Sequence, residues 1–243
     1  MKNDNINMPN CLMGNPIEIP TLGLIYPLTL DEIIEIGMSK YNQYLSLLTI
    51  TTDDILNMIE IETDERIEPF EFLLLNSIMH EDFQVEILAA LSFLFKKEIG
   101  VCEDGYFYIG HINDCLCINV SNFGLMMDII SYQNCINNDN KETKAKSAKQ
   151  REFQKKLREA KAKYNLNTSD INLEISNIIS SVCAKHPSVN LLNVGKLTMY
   201  QLIDQFKRLN MIDEYFINAD ALIHGASQDD VQIKHWASTL LNT

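Results

Sequence analysis

The feature that most constrains the fold is a highly basic stretch near the middle of the chain. Ten of the twenty Lys and Arg residues fall within residues 141–163, KETKAKSAKQREFQKKLREAKAK, which contain only three acidic side chains. The remaining residues carry ten basic and thirty acidic side chains. Apolar side chains are too sparse in this basic segment to build a core. The sequence therefore predicts two acidic bodies joined by one basic segment, a pattern typical of partner binding or domain organisation.

The lack of a recognisable secretion signal and of a long apolar run predicts a protein of the cytoplasm. A length of 243 residues and a hydrophobic fraction of 46% suffice for one large or two modest domains. No apolar run reaches the roughly 18–20 residues that a membrane span requires, and the N-terminus lacks the apolar core of a secretion signal. The formal net charge of −13 argues against non-specific binding of the whole surface to nucleic acid or anionic membrane.

Helical periodicity dominates on both sides of the basic segment. N-terminal to it, the apolar spacing predicts helices at residues 30–49, 52–62, 68–79, 82–98 and 122–134. C-terminal to it, the spacing predicts helices at residues 169–185, 197–209, 213–223 and 228–241. The basic segment is rich in Ala, Lys, Glu, Gln and Arg, so a helix is predicted there as well. The expected fold class is mainly α.

Two stretches depart from the helical period. Residues 16–29 contain Pro20 and Pro27, which restrict them to edge strands or an extended arm. Residues 99–118 alternate with the strand period around an Asp104–Gly105 turn and predict a small β-meander.

These patterns predict three parts. Residues 1–136 form a mostly helical domain with the extended arm and the small antiparallel sheet. Residues 137–165 form a polar linker and the basic helix. Residues 166–243 form an all-helical C-terminal domain.

One group of side chains has a metal-like composition, namely Cys102, His111, Cys115 and Cys117. Zinc sites usually use a Cys-x2-Cys spacing, whereas Cys-x-Cys on a strand only places two thiols on one face of a sheet. The six cysteines of the chain have no disulfide-framework spacing, and we expect reduced thiols. The sequence predicts no metal site and no cofactor.

The sequence also contains only weak evidence for catalytic side chains. Cys183 and Ser188 lie near His186, but a nucleophilic site also needs an acid that orients the histidine. Their spacing is explained more simply by a helix that ends at Pro187. We expect His235 and Trp236 to anchor the last helix in the C-terminal core. The chain is therefore predicted not to be an enzyme.

The basic helix is the part of the chain that we predict to adapt to a binding partner. Glu152 and Glu159 are spaced to pair with Lys156 and Lys163, which favours a solvated helix or one docked on the acidic bodies. A protein partner is the second alternative, and nucleic acid is the least favoured because aromatic interleaving is lacking. The candidate partner-binding residues here are Lys149, Arg151, Lys155, Lys156 and Arg158.

Two stretches together resemble a known family. The first reads NPIEIPTLGLIYPLTLDEIIEIG, and the second reads HPSVNLLNVGKLTMYQLIDQFKRL, followed by HGA and KHWAS. Asn122–Phe123 and Tyr132–Gln133–Asn134 fit between them. This combination resembles the tail assembly chaperones of tailed phages and prophages of Gram-positive bacteria.

The resemblance implies a non-catalytic protein that binds the tape-measure protein and tail-tube subunits in the bacterial cytoplasm. Such chaperones are commonly made in a short and a frameshifted long form, and they usually leave before the virion is complete. A partner of this kind needs apolar docking surfaces. Tyr200, Ile203 and Phe206 are the candidates for such a surface, although the core of the C-terminal domain explains these positions and their neighbours Met199 and Leu202 as well.

Two other functions fit the same residues. A resident virion component, such as a neck or tail-completion protein, would persist in purified particles at fixed stoichiometry. A nucleic-acid-associated phage protein would use the basic helix, and its affinity would fall steeply with salt.

Overall fold

The computed structural model describes residues 8–59, 67–102, 104–111, 116–136, 174–226 and 233–238. Over these ranges the fold is mainly α with two small antiparallel sheets, which confirms the predicted fold class. The predicted linker and basic helix, residues 137–165, lie outside the described residues. None of the described helices combines the length and the apolar content that a membrane crossing requires.

The chain divides into two compact units. Unit 1 comprises Met1–Ile136 and Leu192–Asp204, and unit 2 comprises Asn137–Leu191 and Gln205–Thr243.

The helices of unit 1 before the three-stranded sheet are α1 Met8–Leu12, α2 Leu30–Ile36, α3 Met38–Leu48, α4 Thr52–Ile59, α5 Pro69–Met79 and α6 Glu81–Phe95. The sheet is followed by α7 Phe123–Gln133 and, in the returning segment, by a 3₁₀ turn at Val194–Lys196. The strands are β1 Ile17–Ile19, β2 Gly23–Ile25, β3 Ile99–Cys102, β4 Tyr106–Ile109 and β5 Cys117–Ile118. β1 and β2 form a hairpin, and β3, β4 and β5 form the predicted antiparallel meander.

The helix predicted over residues 30–49 is interrupted at one residue. Gly37 has φ +87° and ψ 139°, a conformation outside the helical region, and it separates α2 from α3. The predicted start of α2 is confirmed, because Thr29 and Glu32 form a reciprocal capping box. Burial alone would raise the pKa of Glu32, but hydrogen bonds from Lys96 and Thr29 outweigh it, and the pKa lies below its usual value.

The core of unit 1 forms around α6 and the meander. The buried side chains of α6 recur with the helical period and are Ile87, Ala90, Leu91, Leu94 and Phe95. The inward face of the meander contributes the buried Phe107, Ile109 and Ile118. Phe70 of α5 packs edge-on against Phe107, with ring centroids 6.1 Å apart. The helix predicted over residues 82–98 therefore places its apolar face in the core.

The returning segment, residues 192–204, is joined to unit 1 by backbone pairing. The amide of Leu30 donates to the carbonyl of Leu197 over 2.8 Å, and Thr29 and Thr198 form an isolated antiparallel bridge. The two stretches that carry the family resemblance thus meet in space. Local periodicity cannot reveal this pairing, because it joins residues far apart in the chain.

Unit 2 contains α8, Ile175–Lys185, and most of α9, Met199–Ile223, which begins in unit 1. α9 is one continuous helix of 25 residues, so the separate helices predicted at 197–209 and 213–223 were wrong. The sequence between them holds neither Pro nor Gly, and Asn210 interrupts a helix only weakly.

The final predicted helix, residues 228–241, is not present over the described residues 233–238, which form turns. Trp236 is 41% exposed and His235 is exposed. The expectation that these two side chains anchor a helix in the core was therefore wrong.

Candidate partner-binding surface

The second half of α9 presents a continuous exposed stripe. Its members follow the i, i+3, i+4, i+7 spacing of one helix face and are Asp213, Glu214, Phe216, Ile217, Asp220, Ile223 and His224. The three large apolar side chains are 61%, 67% and 81% exposed, in the order Phe216, Ile217 and Ile223. Single exposed apolar residues are ordinary, but neighbouring ones on one face are typical of an interaction site.

Aromatic rings extend this stripe beyond the helix. The ring of Tyr215 lies edge-on to Phe216 and to His235, with centroids 5.6 Å apart in both pairs. His235 stacks on Trp236 at 5.3 Å. The stripe and these three flanking side chains, Tyr215, His235 and Trp236, are together called the α9 patch.

Arg208 positions the tryptophan side of the α9 patch. Its Nη1 donates to the backbone oxygen of Trp236 over 2.6 Å and to that of Ser238 over 2.9 Å. The turn is closed locally, because the amide of Ala237 donates to Nδ1 of His235 over 3.1 Å. One guanidinium on α9 therefore holds the turn of residues 233–238 beside the exposed rings.

The charged members of the patch are mainly acidic. Asp213 forms an ion pair with Lys185 of α8, and Oδ1 of Asp220 lies 3.5 Å from Nδ1 of His224. Both pairs are exposed, so each contributes little to stability and is screened by salt. The patch combines exposed rings and aliphatic side chains with three carboxylates, a combination suited to binding another protein rather than to positioning a reacting group.

Unit 1 has a second exposed apolar stripe. It lies on the C-terminal half of α5, consists of Leu75, Ile78 and Met79, and is called the α5 stripe. No described aromatic side chain belongs to this stripe, and it serves below as a matched control for the α9 patch.

The predicted apolar candidates all lie on α9 and are half-buried. Tyr200 and Ile203 belong to unit 1 and Phe206 to unit 2. Tyr200 stacks on Tyr132 at 5.3 Å, and burial followed by the hydrogen bond to Tyr132 raises its pKa. Because one face of Tyr200 is already covered, less of it is open to a partner.

The neighbouring apolar positions Met199 and Leu202 are buried in the core of unit 1. They are core residues, but of unit 1 and not of the C-terminal domain to which the alternative assigned them. The basic candidates lie outside the described residues: Lys149, Arg151, Lys155, Lys156 and Arg158.

The side chains weighed as metal ligands are spread over the meander. Cys102 and Cys117 lie on β3 and β5, on the face that also carries Tyr106 and Tyr108, while Cys115 lies outside the described residues. The Cys102 thiol donates to the Asp104 carboxylate over 3.7 Å. Over the described ranges, His, Cys, Asp and Glu side chains form no group of three that could hold a metal ion.

His186 has a local structural contact. Its Nδ1 accepts hydrogen bonds from the amides of Ser188 and Val189, over 3.1 Å and 3.0 Å, and so closes the turn that follows α8. This agrees with the interpretation of these residues as a helix end at Pro187.

Sequence reasoning missed Phe216, Ile217 and Ile223. It divided α9 into two helices and so did not follow a single face through residues 213–224. The absence of Pro and Gly between residues 199 and 223 would have indicated one helix, on which these side chains share a face.

Residues 161–240, about a third of the chain, match a family model described as the YomV second domain. This match fits a phage protein. The whole α9 patch lies within the matched residues. No curated protein and no solved structure shows significant similarity to the chain.

Proposed function

We propose that this chain is a non-catalytic tail assembly chaperone of a tailed phage. It binds the tape-measure protein and tail-tube subunits in the cytoplasm of the bacterial host and leaves before the particle is complete. The match over residues 161–240 supports a phage protein, and the sequence resemblance supports the chaperone role.

The observation that carries the proposal is the α9 patch. Tyr, Trp and Phe side chains are the residue types that contribute most to protein interfaces, particularly when they are clustered. A tape-measure protein is long and helical, and its apolar faces need cover until the tube forms around it. An exposed apolar helix face supplies that cover by helix-to-helix packing.

The test is co-purification of the tape-measure protein with the tagged full-length chain from cells that also express the tail-tube protein. Each extract is divided, and one half is treated with nuclease. The Phe216→Ser/Ile217→Ser variant is compared with Ile78→Ser/Met79→Ser, which removes two exposed apolar side chains from the α5 stripe. Interface residues of this kind contribute about 2 kcal/mol or more, so we expect the α9 variant to recover at least about tenfold less tape-measure protein. The α5 variant should recover the wild-type amount.

The alternatives give different results in the same assay and in purified particles. Fixed stoichiometry in mature particles would assign the chain to the resident virion components. Loss of all recovered protein on nuclease treatment would favour the nucleic-acid-associated alternative. Equal recovery by both variants and the wild type would contradict the role of the α9 patch.

A further inference from the structure

The α9 patch has a defined order of apolar and charged groups along one helix face. Going along α9, carboxylates at Asp213 and Glu214 precede Phe216 and Ile217, and Asp220 precedes Ile223. All six side chains are exposed. Each of these apolar side chains therefore has a carboxylate three or four residues away, which is next to it on the helix surface.

The shape of this surface favours a helical occupant. A single helix offers a straight ridge of side chains, and the complementary surface is the groove between ridges of another helix. An extended peptide would need unpaired backbone groups at a sheet edge for strand addition. The backbone of α9 is already hydrogen bonded within the helix, so the patch binds through side chains alone.

The charges define the flanks of that occupant. Among the described residues, the cations around the patch are Lys185, Lys207, Arg208, Lys234 and, when protonated, His224 and His235. Lys185 is held by Asp213, and Arg208 is held by two backbone carbonyls. Glu214 lies three residues before Ile217 and Asp220 three residues after it, so both carboxylates are next to the apolar side chains. Complementary charge at such positions selects partners and speeds association, whereas like charge opposes it.

We infer that the α9 patch recognises an amphipathic helix whose apolar stripe is flanked by Lys or Arg. Only the identity of the protein that carries this helix rests on the proposed function. The preference for basic flanks is a property of the patch itself, and purified components can test it.

The probes are two synthetic helices of about 20 residues with the same Leu stripe. One has Lys at every flanking position, and the other has Glu. Binding to the full-length chain is followed by fluorescence anisotropy at low and at high salt. At low salt the Lys helix should bind at least about tenfold more tightly than the Glu helix, and the difference should shrink as salt screens the charges.

Two variants locate the binding. Phe216→Ser/Ile217→Ser should abolish binding of the Lys helix, and Glu214→Lys/Asp220→Lys should reverse the preference in favour of the Glu helix. The matched control, Glu18→Lys/Glu35→Lys, makes the same change in net charge at exposed positions of unit 1 and should keep the wild-type preference. Circular dichroism checks that each variant is folded, and the comparison of the two helices on the wild-type chain needs no variant.

Equal affinity for the two helices, tighter binding of the Glu helix, or binding unaffected by Phe216→Ser/Ile217→Ser would overturn the inference. Capture of the tape-measure protein through the α9 patch without any charge preference for the synthetic helices would leave the proposed function standing and refute the inference. Selective binding of the Lys helix without capture of the tape-measure protein would support the inference and refute the proposed function.

Discussion

A buried hydrogen bond joins α3 to the end of α7 in unit 1. The Tyr41 hydroxyl donates to Oδ1 of Asn134 over 2.5 Å, and Nδ2 of Asn134 donates to the carbonyl of Ile130 over 2.7 Å. Both side chains are buried. Burial, followed by the nearby Cys135, raises the pKa of Tyr41, so the phenol remains a neutral donor at physiological pH. The bond ties α3 to the end of α7.

We predict that Tyr41→Phe lowers the free energy of unfolding by about 1–3 kcal/mol, because Oδ1 of Asn134 would stay buried without its donor. Urea denaturation monitored by circular dichroism measures the change. Tyr26→Phe is the control, because the half-buried Tyr26 contributes its ring to a contact with Lys96, and we expect a change within about 0.5 kcal/mol. Equal effects of the two substitutions would show that the Tyr41 hydroxyl contributes nothing specific.

At the scale of the element, Gly37 determines where α2 ends and α3 begins. An added Cβ at Gly37 would meet no other atom within 4 Å. The conformation, φ +87° with ψ 139°, is one that residues with a side chain rarely adopt. The break between α2 and α3 therefore depends on the backbone conformation of Gly37 and not on a lack of room for a side chain.

We predict that Gly37→Ala lowers the free energy of unfolding by about 1–3 kcal/mol, the usual cost of such strained backbone conformations. Gly124→Ala is a matched control, since Gly124 lies in α7 and also has open space around its Cα. There the gain in helix propensity should raise the free energy of unfolding by about 0.4–1 kcal/mol. Thermal unfolding of both variants gives the comparison, and a neutral Gly37→Ala would mean that α2 and α3 can join.

At the scale of the whole molecule, net charge opposes association through the exposed apolar surfaces. The formal net charge is −13 at pH 7, and the sequence pI is about 4.8. Charge of one sign keeps copies of a protein apart, and this repulsion vanishes near the pI. The α9 patch is the described aromatic surface most open to such contact.

We predict that light scattering by the purified chain rises as the pH falls from 7 towards about 4.8. The Phe216→Ser/Ile217→Ser variant should scatter less than the wild type at each of these pH values, because its patch is less apolar. Ile78→Ser/Met79→Ser reports the contribution of the α5 stripe under the same conditions. Scattering unchanged by either variant would assign the association to other surfaces.

Much of unit 1 could be predicted from the sequence, because its elements are determined by short-range patterns. α6, the meander and the start of α2 each lie within a few residues of the predicted positions, since periodicity and helix capping act over one or two turns. The predictions for residues 137–165 and the three-part domain organisation stay predictions.

The candidate site was predictable only in part. The sequence placed apolar candidates on the helix that carries the patch, but it chose Tyr200, Ile203 and Phe206 rather than the more exposed Phe216, Ile217 and Ile223. The exposure of a side chain depends on which neighbours cover it, and sequence spacing alone cannot predict those neighbours. The same reason explains Trp236, whose size suggested a core position.

By itself the sequence determined the mainly α class, most element types of unit 1 and the net negative charge, because propensity, periodicity and charge are local or additive properties of the chain. Only the tertiary structure decided that residues 192–204 pair with the N-terminal arm, that Arg208 holds the turn at Trp236, and that one face of α9 stays exposed. These three features arise from contacts between distant residues, whose free energies depend on the assembled neighbours and not on any single stretch.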